Sequence, residues 1–180
     1  SNVGIYNFAT EANNTRNNTG QVGLIYLTDC KNVSFYNSYI AWHALIGTSC
    51  PFIYSIDGKG VNFIGGRWIR AINAVTPSIV VLEDNDNVVI ENITINNRIA
   101  FGGVIGLDFT FLDTNSSNNN LSTTNLTLKN IHSDLLPTGT AGIPTYIIEY
   151  VTGLVIENVD GVITSIQNAT GKNYIPAFNI

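Results

Sequence analysis

Methionine is absent from these 180 residues and charge is scarce: 12% of the chain is charged, with 8 Lys or Arg against 13 Asp or Glu and a net charge of −5. That balance, with no basic cluster, excludes nucleic acid as an expected partner. No apolar run reaches the roughly 18 residues needed to span a membrane. No segment resembles a signal peptide and no initiator Met is present, so Ser1 is expected to be a processed or trimmed end. Two cysteines, Cys30 and Cys50, are too few for a disulfide framework. Low charge does not mean disorder here, because 44% of residues are hydrophobic and Asn, Thr, Ser and Gly supply the polarity.

What the chain does contain is a phrase repeated six times. A turn residue is followed by an aliphatic residue, any residue, a second apolar residue, any residue, and then Asn or Gly. It reads Asn2-Val3-Gly4-Ile5-Tyr6-Asn7, Asn32-Val33-Ser34-Phe35-Tyr36-Asn37 and Gly60-Val61-Asn62-Phe63-Ile64-Gly65. It returns as Asn87-Val88-Val89-Ile90-Glu91-Asn92, Asn125-Leu126-Thr127-Leu128-Lys129-Asn130 and Gly153-Leu154-Val155-Ile156-Glu157-Asn158. The steps between the first aliphatic residues are 30, 28, 27, 38 and 28. A period of this size predicts a solenoid.

Alternation within the phrase predicts a short strand, and its Asn or Gly boundaries suit turns with positive φ. A second strand precedes most phrases, as in Leu24-Ile25-Tyr26-Leu27 and Phe52-Ile53-Tyr54-Ser55, and a looser apolar stretch such as Tyr39-Ile40-Ala41-Trp42 follows. Equivalent strands should pair in parallel ~4.8 Å apart. The expected fold is therefore all-β: one domain, 1–180, forming a parallel β-helix of about six coils of about 28 residues. Asn7, Asn37, Asn92, Asn130 and Asn158 should form an asparagine ladder, interrupted by Gly65. Loop insertions are expected near 9–21 and 113–122, the second accounting for the long step. In repeat coordinates Cys30 and Cys50 fall beyond the ~7 Å Cα limit for a bridge, so two unpaired thiols are expected.

The phrase and its turn ladder resemble the right-handed parallel β-helix superfamily of pectate lyases, polygalacturonase-like hydrolases, phage tailspikes and related surface proteins. The resemblance spans nearly the whole chain and concerns the fold, which hosts many functions. For the enzymes it implies clustered carboxylates, sometimes with calcium, Arg or His. The Asn-Thr-Asp, Asp-Asp, Gly-His-Gly and Arg-Ile-Lys set of the hydrolases is missing, as is the Arg-x-Pro-x-x-Arg of the lyases.

The residues offer one acidic candidate: Asp29, Asp57 and Asp84, each four before its repeat aliphatic. Stacked carboxylates would repel or attract a cation. The plainer reading is a repeated Asx turn, with Lys31 and Lys59 relieving the repulsion. His43 and His132 occupy unrelated repeat positions, with no nucleophile arranged beside them. No catalytic residue, cofactor or metal is assigned. Tyr26 and Tyr54 share a repeat position and should stack, either as a ladder or as a platform for sugar rings; Trp42 and Trp68 share none.

Eight Asn-x-Ser/Thr triplets occur, which an Asn- and Thr-rich chain generates by chance or a secreted chain carries as glycan sites. Candidate glycosylation sites are Asn13, Asn17, Asn32, Asn115, Asn120, Asn125 and Asn168. Asn92 is left out because its amide is expected to bond inward. Neither end shows a capping unit. Tyr174-Ile175-Pro176-Ala177-Phe178-Asn179-Ile180 resembles the start of another coil, with Ile175 matching Ile53 and Phe178 matching Ile56. From Leu154 to Val3 of a following copy is 29 residues, close to the internal period. The expectation is a non-enzymatic extracellular or virion-surface protein, its partner itself, stacking head to tail into a filament. Ser1, Asn2, Val3, Ile5 and Asn7 would meet Leu154, Ile156, Tyr174, Ile175, Phe178, Asn179 and Ile180. The rival is a β-helix that binds or cleaves polysaccharide, with a surface decoration module as a third reading.

Overall fold

Alternating apolar residues between turn formers leave the chain one way to bury both columns: turn, stack and pair with itself. A computed structural model of the chain describes residues 2–14, 25–44, 51, 53–72, 78–99, 109–114, 123–134 and 144–167. Its strands are β1 (Val3–Tyr6), β2 (Ala9–Asn14), β3 (Ile25–Thr28), β4 (Lys31–Ala44), β5 (Ile53–Ile56), β6 (Lys59–Ile72) and β7 (Val80–Glu83). They continue as β8 (Asp86–Ile99), β9 (Phe109–Asp113), β10 (Thr123–Asp134), β11 (Pro144–Glu149), β12 (Val151–Thr152), β13 (Val155–Val159) and β14 (Val162–Gln167).

All pairings are parallel and build two sheets. Sheet A runs β1-β4-β6-β8-β10-β12, with β13 also on β10 and β2 also on β4; sheet B runs β14-β11-β9-β7-β5-β3. The expected all-β parallel solenoid forms. Its regularity is shorter than six coils: about three are uniform, those carrying the 14-residue strands β4, β6 and β8. Beyond them β11 is bulged against both neighbours and the last sheet-A rung is split into β12 and β13. Residues 9–14, expected to open a loop, are strand β2 instead, because Ala9–Asn14 stay in register with Tyr39–Ala44.

Three corners hold the coil. Asp29, Asp57, Asp84 and Tyr150 take φ of 50–55°; Asn32, Asn87 and Asn125 take 52–56°; Asn7, Asn37, Asn92, Asn130 and Asn158 take 49–57°. The left-handed region is sterically open to Gly and tolerable for Asn and Asp, whose short side chains bond locally. Where Gly65 replaces Asn, a Cβ would come within 2.7 Å of the Asn37 Oδ1 in the preceding coil. Glycine thus yields the space that the neighbouring amide occupies.

Inside, Phe35 stacks on Phe63 at 5.0 Å, and the same register continues through Ile90, Leu128 and Ile156. Trp68 is fully buried between the sheets, stacking on Phe111 at 5.8 Å and donating from Nε1 to Ser38 Oγ at 3.0 Å.

The coil closes differently at its far end. Ile25 pairs with Ile53, 28 residues on, whereas Thr145 pairs with Val162, only 17 on. The place beside β11 is therefore filled by β14; the Tyr174–Ile180 tail lies outside the described residues.

Candidate functional site

The corner that precedes each phrase brings Asp29, Asp57 and Asp84 to one open surface depression of about 560 Å³, together with Lys31, Lys59 and Asp86. All three Asp side chains are exposed and all three backbones are left-handed. The Asp29 and Asp57 amides donate to the carbonyls of Ile56 and Glu83 in the next coil, at 3.2 and 3.1 Å. In the last coil Tyr150 takes the same corner with φ of 55°. The shared property of this column is thus backbone conformation, which is the Asx-turn reading. Asp86 is held by the corner itself: its carboxylate accepts from Thr124 Oγ1, from Asn125 Nδ2 at 3.2 Å and from Asn87 Nδ2 at 2.9 Å. Among the described residues no group of three His, Cys, Asp or Glu is placed to hold a metal ion.

Beneath this corner lies a residue that the sequence reading passed over. Asn85 is buried, its Oδ1 accepting from Ser55 Oγ at 2.7 Å and from the Gly58 amide at 3.1 Å. Its Nδ2 donates to the carbonyls of Ser55 and Glu83, each at 2.9 Å. All four hydrogen-bonding places of the amide are used. The only available signal was the polar run Asp84-Asn85-Asp86-Asn87, which does not say which side chain points inward.

A second surface is aromatic. Tyr6 stacks on Tyr36 at 4.7 Å and 12°, and Tyr6 is 68% exposed. Beside them Asn32, Ser34 and Asn62 line a shallow groove of about 380 Å³ in which Asn62 Nδ2 donates to Ser34 Oγ at 3.0 Å. Tyr26 and Tyr54 stack as expected, at 5.5 Å and 6°. Tyr54 is buried, and its pKa is raised, first by that burial and then by its hydrogen bond to the Glu83 carboxylate. A buried, bonded phenol makes this pair a ladder more than a platform.

The ladder of turn amides is formed in part. Asn130 Nδ2 donates to Asn92 Oδ1 at 3.0 Å, and Asn158 Nδ2 to Asn130 Oδ1 at 2.8 Å. These bonds run along the outside, so the inward orientation expected for Asn92 is corrected: Asn92 is exposed, because its left-handed backbone aims the side chain outward. Lys129 and Glu157 pair at 3.1 Å on the same face. Asn32 and Asn125 are exposed corner residues. Asn13 lies in β2, with its side chain outside the described set, as are those of Trp42 and His43. Ser1, Asn17, Cys50, Asn115, Asn120 and Asn168 lie outside the described residues altogether. Cys30 is a half-buried free thiol.

At the ends, Val3 is 48% exposed whereas Val61, Val88 and Leu126 in the same column are 0% exposed. Ile5 is half-buried and Asn7 exposed, while Leu154 and Ile156 are covered.

No protein-family description and no curated protein matches the chain. A solved structure with a similar path is a candidate glycosyl hydrolase from Parabacteroides merdae ATCC 43184, with a TM-score of 0.46 and 11% identity over 80% of this chain and 72% of that one. A likeness this distant carries no argument about function.

Proposed function

We propose that this chain is a structural, non-enzymatic β-solenoid of an extracellular surface, which elongates by stacking end to end on copies of itself. The observation that supports this reading is the outer edge of β1. Val3 is 48% exposed on β1, which pairs with β4, whereas Val33 in the same column is half-buried and Val61, Val88, Leu126 and Leu154 are buried. Parallel edges of this kind are templates for another strand. A heterologous contact that does not close gives an open polymer. Electron microscopy and sedimentation across a concentration series test it: rods that lengthen with concentration are expected. Discrete particles of constant mass at every concentration would overturn it.

A second reading, polysaccharide binding, is favoured by the exposed Tyr6–Tyr36 stack beside the amide and hydroxyl groups of Asn32, Asn62 and Ser34. Rings offer a face to sugar C–H groups while the amides bond hydroxyls. Titration with neutral and acidic oligosaccharides, followed by tyrosine fluorescence, should then show saturable binding lost in Tyr6→Ala. No signal with either class would remove this reading.

A further inference from the structure

The turn amides along one corner form a ladder with a direction. Asn158 Nδ2 donates to Asn130 Oδ1 at 2.8 Å, and Asn130 Nδ2 donates to Asn92 Oδ1 at 3.0 Å. The next acceptor belongs on the residue opposite Asn92 in β6, between the pairs Ile64–Glu91 and Gly66–Ile93. That residue is Gly65. Asn92 Nδ2 therefore has no acceptor among the described residues, while its Oδ1 is bonded. The place of a side chain at 65 is open except for Asn37 Oδ1, which stands 2.7 Å from where a Cβ would be.

Asn92 is exposed, with a left-handed φ of 57°. It opens Asn92-Ile93-Thr94, an acceptor triplet for N-linked glycans. Ile93 is buried in the core, and Thr94 is half-buried. The inward bond that set this triplet apart from the others is not formed.

We infer that Asn92 is a glycosylation site, carrying an N-linked oligosaccharide that occupies the gap left in the ladder over Gly65. The inference rests on the extracellular reading above, since the sugar donor is met on the secretory route. The transfer joins Nδ2 to the anomeric carbon of a lipid diphosphate-linked oligosaccharide. The anomeric C–O bond breaks, the lipid diphosphate leaves with the electron pair, and one Nδ2 proton passes to a base of the transferase. Only an Nδ2 hydrogen is replaced, so Asn92 Oδ1 still accepts from Asn130 and the ladder is kept. The Asn125 triplet differs, because its Nδ2 is engaged with the Asp86 carboxylate at 3.2 Å. A glycan at Asn92 holds this corner in water, so close packing between chains is excluded across it.

The test uses the full chain secreted from eukaryotic cells, with peptide mapping before and after amidase removal of N-glycans. A glycan at Asn92 is expected, and Thr94→Ala should abolish it while leaving the β circular dichroism signal unchanged. An unmodified Asn92 in a folded chain glycosylated at other triplets would overturn this site and leave the extracellular reading intact. No glycan at any triplet would overturn both. Gly65→Asn then tests the placement, since the φ of 71° at this corner suits Asn. In the Thr94→Ala background it supplies the missing acceptor and should raise the melting temperature. In the glycosylated chain it competes with the sugar and should lower it. The same shift in both backgrounds would overturn the placement over Gly65.

Discussion

Asp160 Oδ2 accepts the backbone N–H of Ser133 at 3.0 Å, in the place where the next carbonyl of a parallel ladder belongs. The Asp160 amide makes the last ladder bond, to the Ile131 carbonyl at 2.9 Å, and its own carbonyl is turned to the Tyr146 hydroxyl at 3.0 Å. One residue thus ends β13, bonds the adjoining stretch of β10 with its side chain and redirects the chain into β14. Gly161 completes the exit with φ of 131°, where a Cβ would meet the Pro144 carbonyl and the Tyr146 ring.

Asp160→Ala should leave the Ser133 amide without its charged acceptor and cost about 2 kcal/mol. Tyr146→Phe should cost about 1 kcal/mol by removing a neutral bond. Hydrogen exchange would locate the effect: protection should fall in β11 and β14 and persist in β4, β6 and β8. A uniform loss across all strands would contradict the local cap.

Asn85→Ala strips partners from the Gly58 amide, Ser55 Oγ and two carbonyls in a buried corner. A loss of about 3 kcal/mol in urea unfolding is expected, since stranded buried groups cost more than the bonds return. Asp57→Asn should change stability by less than about 0.5 kcal/mol, because Asn also tolerates the left-handed corner. Equal effects of the two substitutions would sink the distinction between a core amide and a surface turn.

Tyr150 holds at φ of 55° a conformation that a bulky residue rarely adopts. Tyr150→Asn, a residue type that many of the other left-handed corners carry, should raise stability by about 1 kcal/mol. A lower melting temperature would show instead that the ring's packing outweighs the strain.

Tyr54 and Tyr146 both hold their phenol protons more tightly than the ordinary tyrosine value of 10, in each case chiefly through burial; Glu83 adds to the first and Asp160 to the second. A raised folded pKa stabilises the native state fully below that ordinary value, and the contribution is lost as pH rises above it. Stability should therefore be flat near neutrality with respect to these groups and fall above pH 10. In an absorbance titration at alkaline pH, Tyr54 and Tyr146 should ionise only together with loss of the β circular dichroism signal. Full phenolate formation in a still-folded chain would contradict their burial.

Much of this fold was legible in the chain because its causes are local. Left-handed corners need Asn, Asp or Gly for steric reasons that act within one residue, and period-2 alternation sets which side chains face in. The repeat distance then dictates stacking, so the solenoid and its columns follow from Asn32, Val33, Phe35, Asn37 and their equivalents. The exit from β13 was not legible in that way. Asp160-Gly161 reads only as a turn dipeptide, and its consequence depends on Ser133, Ile131, Pro144 and Tyr146, which lie 14 to 30 residues away. The same holds for Asn85, an ordinary polar residue until Ser55 and Gly58 are stacked beneath it. The coil and its corners follow from the residues alone, since those rest on backbone sterics and periodic burial. Where β13 gives way to β14 and which amide turns inward were set by contacts across rungs, because hydrogen bonds between residues far apart in the chain choose that path.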